Sequence, residues 1–358
     1  MNLLLTADTV GGVWTFALEL TDALAERDVR VTIAAIGDPL RADQEDELRR
    51  SRAQSAHTQT FALEWTTEPW ADLDRAGEWL LELRDETEPD LVHVSSYSHA
   101  SLPWGVPVVV TAHSCVLSWF ETVRGVEAPA EWDGYRRLVA EGLAAADVIA
   151  APTHAMLAAV ERVYDPPGAR LVIPNGRRAP AAPAIAKEPF ILSSGRIWDE
   201  AKNVAALARI APALDWPVVL AGEGSSDAAS ANVTALGRVA RAQLDHLLAR
   251  ASIFALPARY EPFGLGPLEA AQAGCALVLG DIESLREVWG DAATFVAPDD
   301  DTALAAALQR LITDDALRSE LAGRARRRAG AYTPQRMADS YLGAYTTAAL
   351  AARRGVHA

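Results

Sequence analysis

Short apolar runs alternate with amphipathic stretches along the chain, a pattern that predicts strand–helix units built around parallel sheets. In the first half the runs place strands at Leu3–Asp8, Val29–Ile36, Thr58–Glu64, Leu91–Ser95, Val106–Ala112, Val148–Ala151 and Arg170–Ile173. Helical periodicity lies between them, as at Trp14–Glu26, Leu73–Glu86 and Tyr135–Ala145. A second series of strands is expected at Phe190–Ser194, Val218–Gly222, Val233–Leu236, Ile253–Leu256, Ala276–Leu279 and Thr294–Val296. The stretch from Pro174 to Pro189 holds Pro180, Pro183 and several alanines without any period, and it reads as an interdomain linker. The tail from Pro334 is helical, and Arg324, Arg326, Arg327 and Arg328 just before it read as a solvated basic face. The expected class is therefore α/β, with two Rossmann-like doubly wound domains facing across a cleft. Their bounds are 1–176 and 188–333, followed by a C-terminal helix over 334–358.

Length agrees with that division, because 358 residues exceed what one hydrophobic core usually serves. The net charge of −15 opposes wrapping a nucleic acid or resting broadly on an anionic membrane, while leaving room for one small basic pocket. No nucleic-acid partner and no stable membrane association are expected. Cys115 and Cys275 are too few for a disulfide framework or a structural metal knot, which suits a reducing cytoplasm. The first residues reach Asp8 without a basic segment or a long apolar run, so neither a signal peptide nor a membrane span is expected there.

Candidate chemistry concentrates where strands give way to helices. Ala258-Arg259-Tyr260-Glu261-Pro262-Phe263-Gly264-Leu265-Gly266-Pro267-Leu268-Glu269-Ala270 follows the strand at Ile253–Leu256. Pro267 suits a first helical turn, which would put Glu269 in that turn and leave Glu261 on the loop before it. N–H groups around Phe263, Gly264 and Leu265 would make the helix start an anion site. The bland alternative for Glu269 is a carboxylate that stabilises its own helix dipole.

At the end of the strand Phe190–Ser194 comes Ser193-Ser194-Gly195-Arg196-Ile197-Trp198-Asp199-Glu200-Ala201-Lys202-Asn203. A guanidinium and an ammonium there suit a diphosphate. The competing reading pairs both cations with Asp199 and Glu200 on the surface. Near the N-terminus, Gly11 and Gly12 permit close backbone approach to a ligand, although they do not form a dinucleotide fingerprint. His113 closes the strand at Val106–Ala112, and His93 lies within the strand at Leu91–Ser95. Trp119 and Phe120 fall in an expected loop and could wall an acceptor site, whereas Trp132 and Tyr135 read as core.

The long stretch around Pro262-Phe263-Gly264-Leu265, with its two glutamates, resembles the donor-binding motif of glycosyltransferase family 4. Gly195-Arg196 with Lys202-Asn203, the Gly11-Gly12 turn, Pro174-Asn175-Gly176 and Ala221-Gly222-Glu223-Gly224 resemble that family's other landmarks, so the likeness covers nearly the whole chain. One departure is Asp281-Ile282-Glu283-Ser284-Leu285-Arg286-Glu287, which lacks a glycine pair often found there, although Glu287 fits a later acidic position. The resemblance implies a GT-B architecture and a retaining hexosyltransferase that moves a sugar from a nucleoside-diphosphate sugar to a hydroxyl acceptor. It implies no cofactor and no metal, with the first domain holding the acceptor and the second the donor. It maps Arg196 and Lys202 to the diphosphate, Glu261 and His113 to the sugar, and Glu269 to the ribose. Gly11, Gly12, Phe263, Gly264 and Leu265 would be further donor contacts, and His93 a structural group. UDP, GDP and ADP donors stay open, as does the acceptor. Rival expectations are a phosphorylase or nucleotide-sugar epimerase on the same fold, or a catalytically silent nucleotide-sugar binder.

Overall fold

A computed structural model describes residues 1–179, 185–224 and 231–355; the linker positions Pro180 and Pro183 lie outside the described residues. The chain divides into two compact units, Met1–Gly176 with Pro334–Ala358, and Arg177–Thr333.

The first unit is built on seven parallel strands: β1 (Asn2–Asp8), β2 (Arg30–Gly37), β3 (Ser55–Thr60), β4 (Leu91–Val94), β5 (Val108–Thr111), β6 (Val148–Ala151) and β7 (Ala169–Val172). Their order is β3-β2-β1-β4-β5-β6-β7, so the winding reverses between β1 and β4. Leu3 pairs with Val31 on one side and with Leu91 on the other, placing β1 at the centre. Such a strand has helices over both faces, which explains the unbroken run Leu3-Leu4-Leu5. On one face Leu3, Leu5 and Ala7 pack with Phe16 and Leu20 of the helix Gly12–Ala25. The long helix Pro334–Gly355 joins that core through Met337, Tyr341 and Tyr345.

The second unit has six parallel strands: β8 (Glu188–Ser194), β9 (Val218–Ala221), β10 (Val233–Ala235), β11 (Ala251–Leu256), β12 (Ala276–Gly280) and β13 (Thr294–Val296). The order β10-β9-β8-β11-β12-β13 again reverses direction, here between β8 and β11. Alternate residues serve the two faces. Leu192, Phe254, Leu277 and Leu279 meet the helices Leu265–Gln272 and Asp315–Ala329, while Ile191, Ile253 and Val278 meet Val204–Ile210 and Asp301–Thr313.

Two elements depart from the sequence expectations. The third strand sits at Ser55–Thr60 rather than Thr58–Glu64, because Leu63 and Glu64 turn inward from a loop instead of following the pleat. A helix at Ala42–Arg50 carries almost no apolar residues; its buried member is Gln44, whose amide donates to the Thr9 carbonyl at 2.8 Å. The basic run before the C-terminal helix is only partly solvated. Arg328 lies 5.8 Å from the Tyr332 ring and donates to the Val288 carbonyl at 2.7 Å.

Candidate functional site

Both cation- and carboxylate-bearing stretches of the second unit leave the sheet at its reversal point, one after β8 and the other after β11. Open parallel sheets bind ligands there, where diverging crossovers leave a crevice beyond the strand ends. Backbone bonds join the two stretches, since the Arg259 and Tyr260 N–H groups both donate to the Ala201 carbonyl, at 2.8 and 3.3 Å. Asn203, in the left-handed region at φ 52°, donates its amide to the Pro257 and Pro298 carbonyls and fixes the turn behind Lys202.

Lys202 and Glu261 meet at 2.7 Å, with side chains only 16% and 14% exposed. The other Glu261 oxygen accepts weakly from the Phe263 N–H at 3.5 Å, and the Ser284 hydroxyl holds the Glu261 carbonyl at 2.6 Å. The surface reading is thus half right. Arg196 does pair with Asp199, at 2.9 Å, and lies 5.7 Å from the Trp198 ring, but Lys202 chooses Glu261 over Glu200. Asp199 uses its second oxygen to accept the Ala201 N–H, which starts the short turn Glu200–Lys202.

The helix Leu265–Gln272 begins just beyond Glu261, after Gly264 at φ 93° and ψ 70°, a conformation that favours glycine. Leu265 and Gly266 lead the helix, so their N–H groups have no partner within it and the start carries partial positive charge. Glu269 does not fall in the first turn, as the sequence reading had it, because the helix starts two residues before Pro267. It therefore does not act as a dipole cap. Buried to 6% exposure, its carboxylate receives Arg177 at 2.8 Å and Arg241 at 2.6 Å. Both contacts fall on Oε1, so the two cations orient the carboxylate and turn Oε2 away from them. The expectations did not contain either arginine: Arg177 follows the Pro-Asn-Gly turn and Arg241 opens a different helix, and no local spacing links them to Glu269.

In the first unit Gly11 takes φ 74° and ψ −151° before the helix Gly12–Ala25, a backbone state open to glycine. His113 follows β5 with its ring edge-on to Phe16, centroids 4.5 Å apart. Its Nε2 is buried and finds no hydrogen-bond partner among the described residues, and burial pushes the imidazole down to about 3, so it is neutral near pH 7. His93 instead has both nitrogens engaged, by the Tyr345 hydroxyl at 2.9 Å and the Thr111 hydroxyl at 2.6 Å, a structural arrangement. Trp119 and Phe120 are helical rather than looped: Trp119 ends the helix Val116–Trp119, and a wider turn continues through Phe120–Arg124. Their rings meet edge-on at 5.2 Å, and both are half-buried. Tyr135 is core at 3% exposure, whereas Trp132 is only half-buried.

A second polar constellation, absent from the expectations, lies at the reversal point of this sheet. Asp8 ends β1, and the Trp65 indole N–H reaches its carboxylate at 3.4 Å. Glu64 anchors the Trp65 loop by accepting the Tyr97 and Ser98 N–H groups and the Ser98 hydroxyl, at 3.1, 3.0 and 3.0 Å. Burial, aided by the neighbouring Glu64 charge, pushes Asp8 up to about 7. Among the described residues no three His, Cys, Asp or Glu side chains are grouped to hold a metal ion, and no helix is long and apolar enough to cross a membrane.

Comparison with known proteins bears on the whole chain. The family model for glycosyl transferases group 1 matches residues 177–328, and that for glycosyltransferase family 4 matches residues 10–178. Glycogen synthase of Mycobacterium tuberculosis (strain H37Rv) is 30% identical over 367 residues, spanning 89% of this chain and 86% of the relative. Among solved structures, sucrose-phosphate synthase from Thermosynechococcus elongatus superposes with a TM-score of 0.78 at 18% identity, covering 97% and 98% of the two chains. Anabaena HepE in complex with UDP-glucose gives 0.76 at 16% identity, over 97% and 100%. These structural likenesses establish a GT-B glycosyltransferase fold.

Proposed function

Because the chain belongs to the glycosyltransferases of group 1 and family 4, and is a glycosyltransferase enzyme, we propose that it moves a sugar from a nucleoside-diphosphate sugar to a hydroxyl acceptor, with retention and without a metal. The observation that carries this reading is the Lys202–Glu261 pair at the sheet reversal, beside an open helix start. It sets a cation and a carboxylate next to each other, as a donor with an anionic diphosphate and a hydroxyl-rich sugar demands. HepE, of the same fold, has been solved with UDP and with UDP-glucose, which supports a nucleotide-sugar donor here.

In the proposed reaction the bond from the anomeric carbon to the leaving phosphate oxygen breaks, and a bond to the acceptor oxygen forms on the same face. The acceptor proton passes to the departing diphosphate, so no side chain needs to become a covalent nucleophile. Lys202, Arg196 and the N–H groups at Leu265 and Gly266 stabilise the charge that grows on the phosphate oxygens. Glu261 positions the sugar hydroxyls as positive charge builds at the anomeric carbon, and the Oε2 of Glu269, which takes neither arginine, accepts the ribose hydroxyls. His113, neutral and with a free ring nitrogen, is assigned to the donor sugar, and Gly11 and Gly12 to close backbone approach. Trp119 and Phe120 are assigned to the acceptor.

Incubation with a panel of UDP-, GDP- and ADP-sugars, with release of nucleoside diphosphate followed by coupled assay, tests the reading. Slow hydrolysis of one donor, accelerated by a hydroxyl acceptor and giving a product of unchanged anomeric configuration, is expected. Turnover that requires inorganic phosphate, or that converts the donor sugar without any acceptor, would replace the transferase with one of its rivals.

A further inference from the structure

Asp8 and Trp65 occupy the reversal point of the first sheet, the place that the donor residues occupy in the second. They come from distant parts of the chain, and Glu64, next to Trp65, fixes that loop by accepting three hydrogen bonds from Tyr97 and Ser98. Both Asp8 and Trp65 are half-buried, so each presents part of its surface outward. A carboxyl group beside a partly open indole suits a sugar ring, whose hydroxyls bond to the one while its C–H face lies on the other.

We propose that Asp8 and Trp65 form a subsite for the acceptor, in addition to the assigned Trp119 and Phe120, and that the acceptor presents an uncharged, polyhydroxylated ring there. This rests on the transferase reading above and adds the acceptor's chemical class. Near neutral pH the raised Asp8 carboxyl exists in both protonation states, able to donate to one hydroxyl and accept from another. A phosphorylated or carboxylated ring would meet Asp8 and Glu64 together, and among the described residues neither forms an ion pair that would offset them. The assignment makes Asp8 a contact for the acceptor and gives no part of it to the donor.

The test uses the full chain with glucose, maltotriose, trehalose, myo-inositol and glucose 6-phosphate as candidate acceptors, each with the donor found by hydrolysis. A neutral member of the panel is expected to accelerate donor consumption, and glucose 6-phosphate is not. Asp8→Asn should raise that acceptor's KM about tenfold or more. Trp65→Phe should raise it less, and Trp65→Ala more. In all three the donor's KM and the acceptor-free hydrolysis rate should stay within about twofold of the native values, which also reports that the variants are folded. Unchanged acceptor KM in Asp8→Asn and Trp65→Ala overturns the proposal, as does preference for the phosphorylated sugar. Donor hydrolysis that no neutral member accelerates overturns it too, yet leaves the donor chemistry standing. Absence of hydrolysis with every donor, together with absence of transfer, overturns the transferase reading itself.

Discussion

Replacing Glu269 with glutamine keeps the shape of the side chain and removes the one anion that Arg177 and Arg241 share. Arg177 Nε lies 2.8 Å and Arg241 Nη1 2.6 Å from the same oxygen, so the two nitrogens are at most 2.8 + 2.6 = 5.4 Å apart. Without the carboxylate, two unit charges at that separation would repel by about 3 kcal/mol at an effective dielectric constant near 20, an upper figure because Asp245 still pairs with Arg241 at 2.5 Å. The arginine side chains are only 16% and 28% exposed, so water screens them incompletely. A unit of this size loses about 2 to 4 °C of melting temperature per kcal/mol, so Glu269→Gln should melt lower by up to about 12 °C. Adding Arg241→Met to Glu269→Gln removes one of the two positive charges and should recover most of that loss. Nucleotide affinity should not follow, because the proposed ribose contact belongs to Glu269 itself. Both Glu269→Gln and the double variant should bind nucleoside diphosphate about tenfold more weakly than the native enzyme. Scanning calorimetry and isothermal titration with the nucleoside diphosphate read the two effects separately. A melting temperature within about 2 °C of native in Glu269→Gln would refute the electrostatic reasoning. Recovery of full nucleotide affinity in the double variant would refute the ribose assignment.

Glu261→Gln should lower turnover by roughly a hundredfold while nucleoside diphosphate still binds nearly normally, a split that steady-state kinetics beside calorimetry would reveal. Activity should survive excess EDTA, because Arg196 and Lys202 are the groups proposed to supply the positive charge; loss of turnover that manganese or magnesium restores would contradict this. Acid should destabilise the first unit, because burial pushes His93, His99 and His113 down to about 3, 4 and 3, and unfolding lets each bind a proton as pH falls below about 6.5. Each contributes about 1.4 kcal/mol per pH unit in that window. Asp8 and Glu64, whose carboxyls are raised, act in the opposite sense, so the net fall is about 1 to 3 kcal/mol per unit between pH 6 and 4. Urea midpoints that rise steadily from pH 6 to pH 4 would show the histidines to be solvated.

Much of the candidate site in the second unit was legible because its pieces are contiguous. Arg196 to Lys202 and Glu261 to Glu269 each lie on one strand–loop–helix passage, and the apolar runs locate the strand that feeds each. What stayed hidden depends on tertiary approach. Arg241 opens a separate helix, and Trp65 lies far along the chain from Asp8, so no local period joins either to its partner. Polar elements were equally obscure. The helix Ala42–Arg50 has no apolar stripe to announce it, and Glu64 stood at the end of an expected strand although its carboxylate is spent on loop N–H groups. Pro267 does lie in the first turn of the helix Leu265–Gln272, but Gly264 sets the start at Leu265, so Glu269 falls one residue beyond that turn.

Asp199 serves two masters, gripping Arg196 with one oxygen and holding the Ala201 N–H with the other. An anion that draws Arg196 away must therefore take it from a carboxylate rather than from water, and Lys202 stands in the same relation to Glu261. Under the proposed function, arrival of a diphosphate is then an exchange of partners in which the protein's own acidic groups are set loose as the ligand's are bound. Affinity won by exchange depends on how much better the newcomer fits than the resident. Added salt loosens the resident pairs as well as the incoming ones, so binding should weaken with ionic strength less steeply than two bare cations would predict.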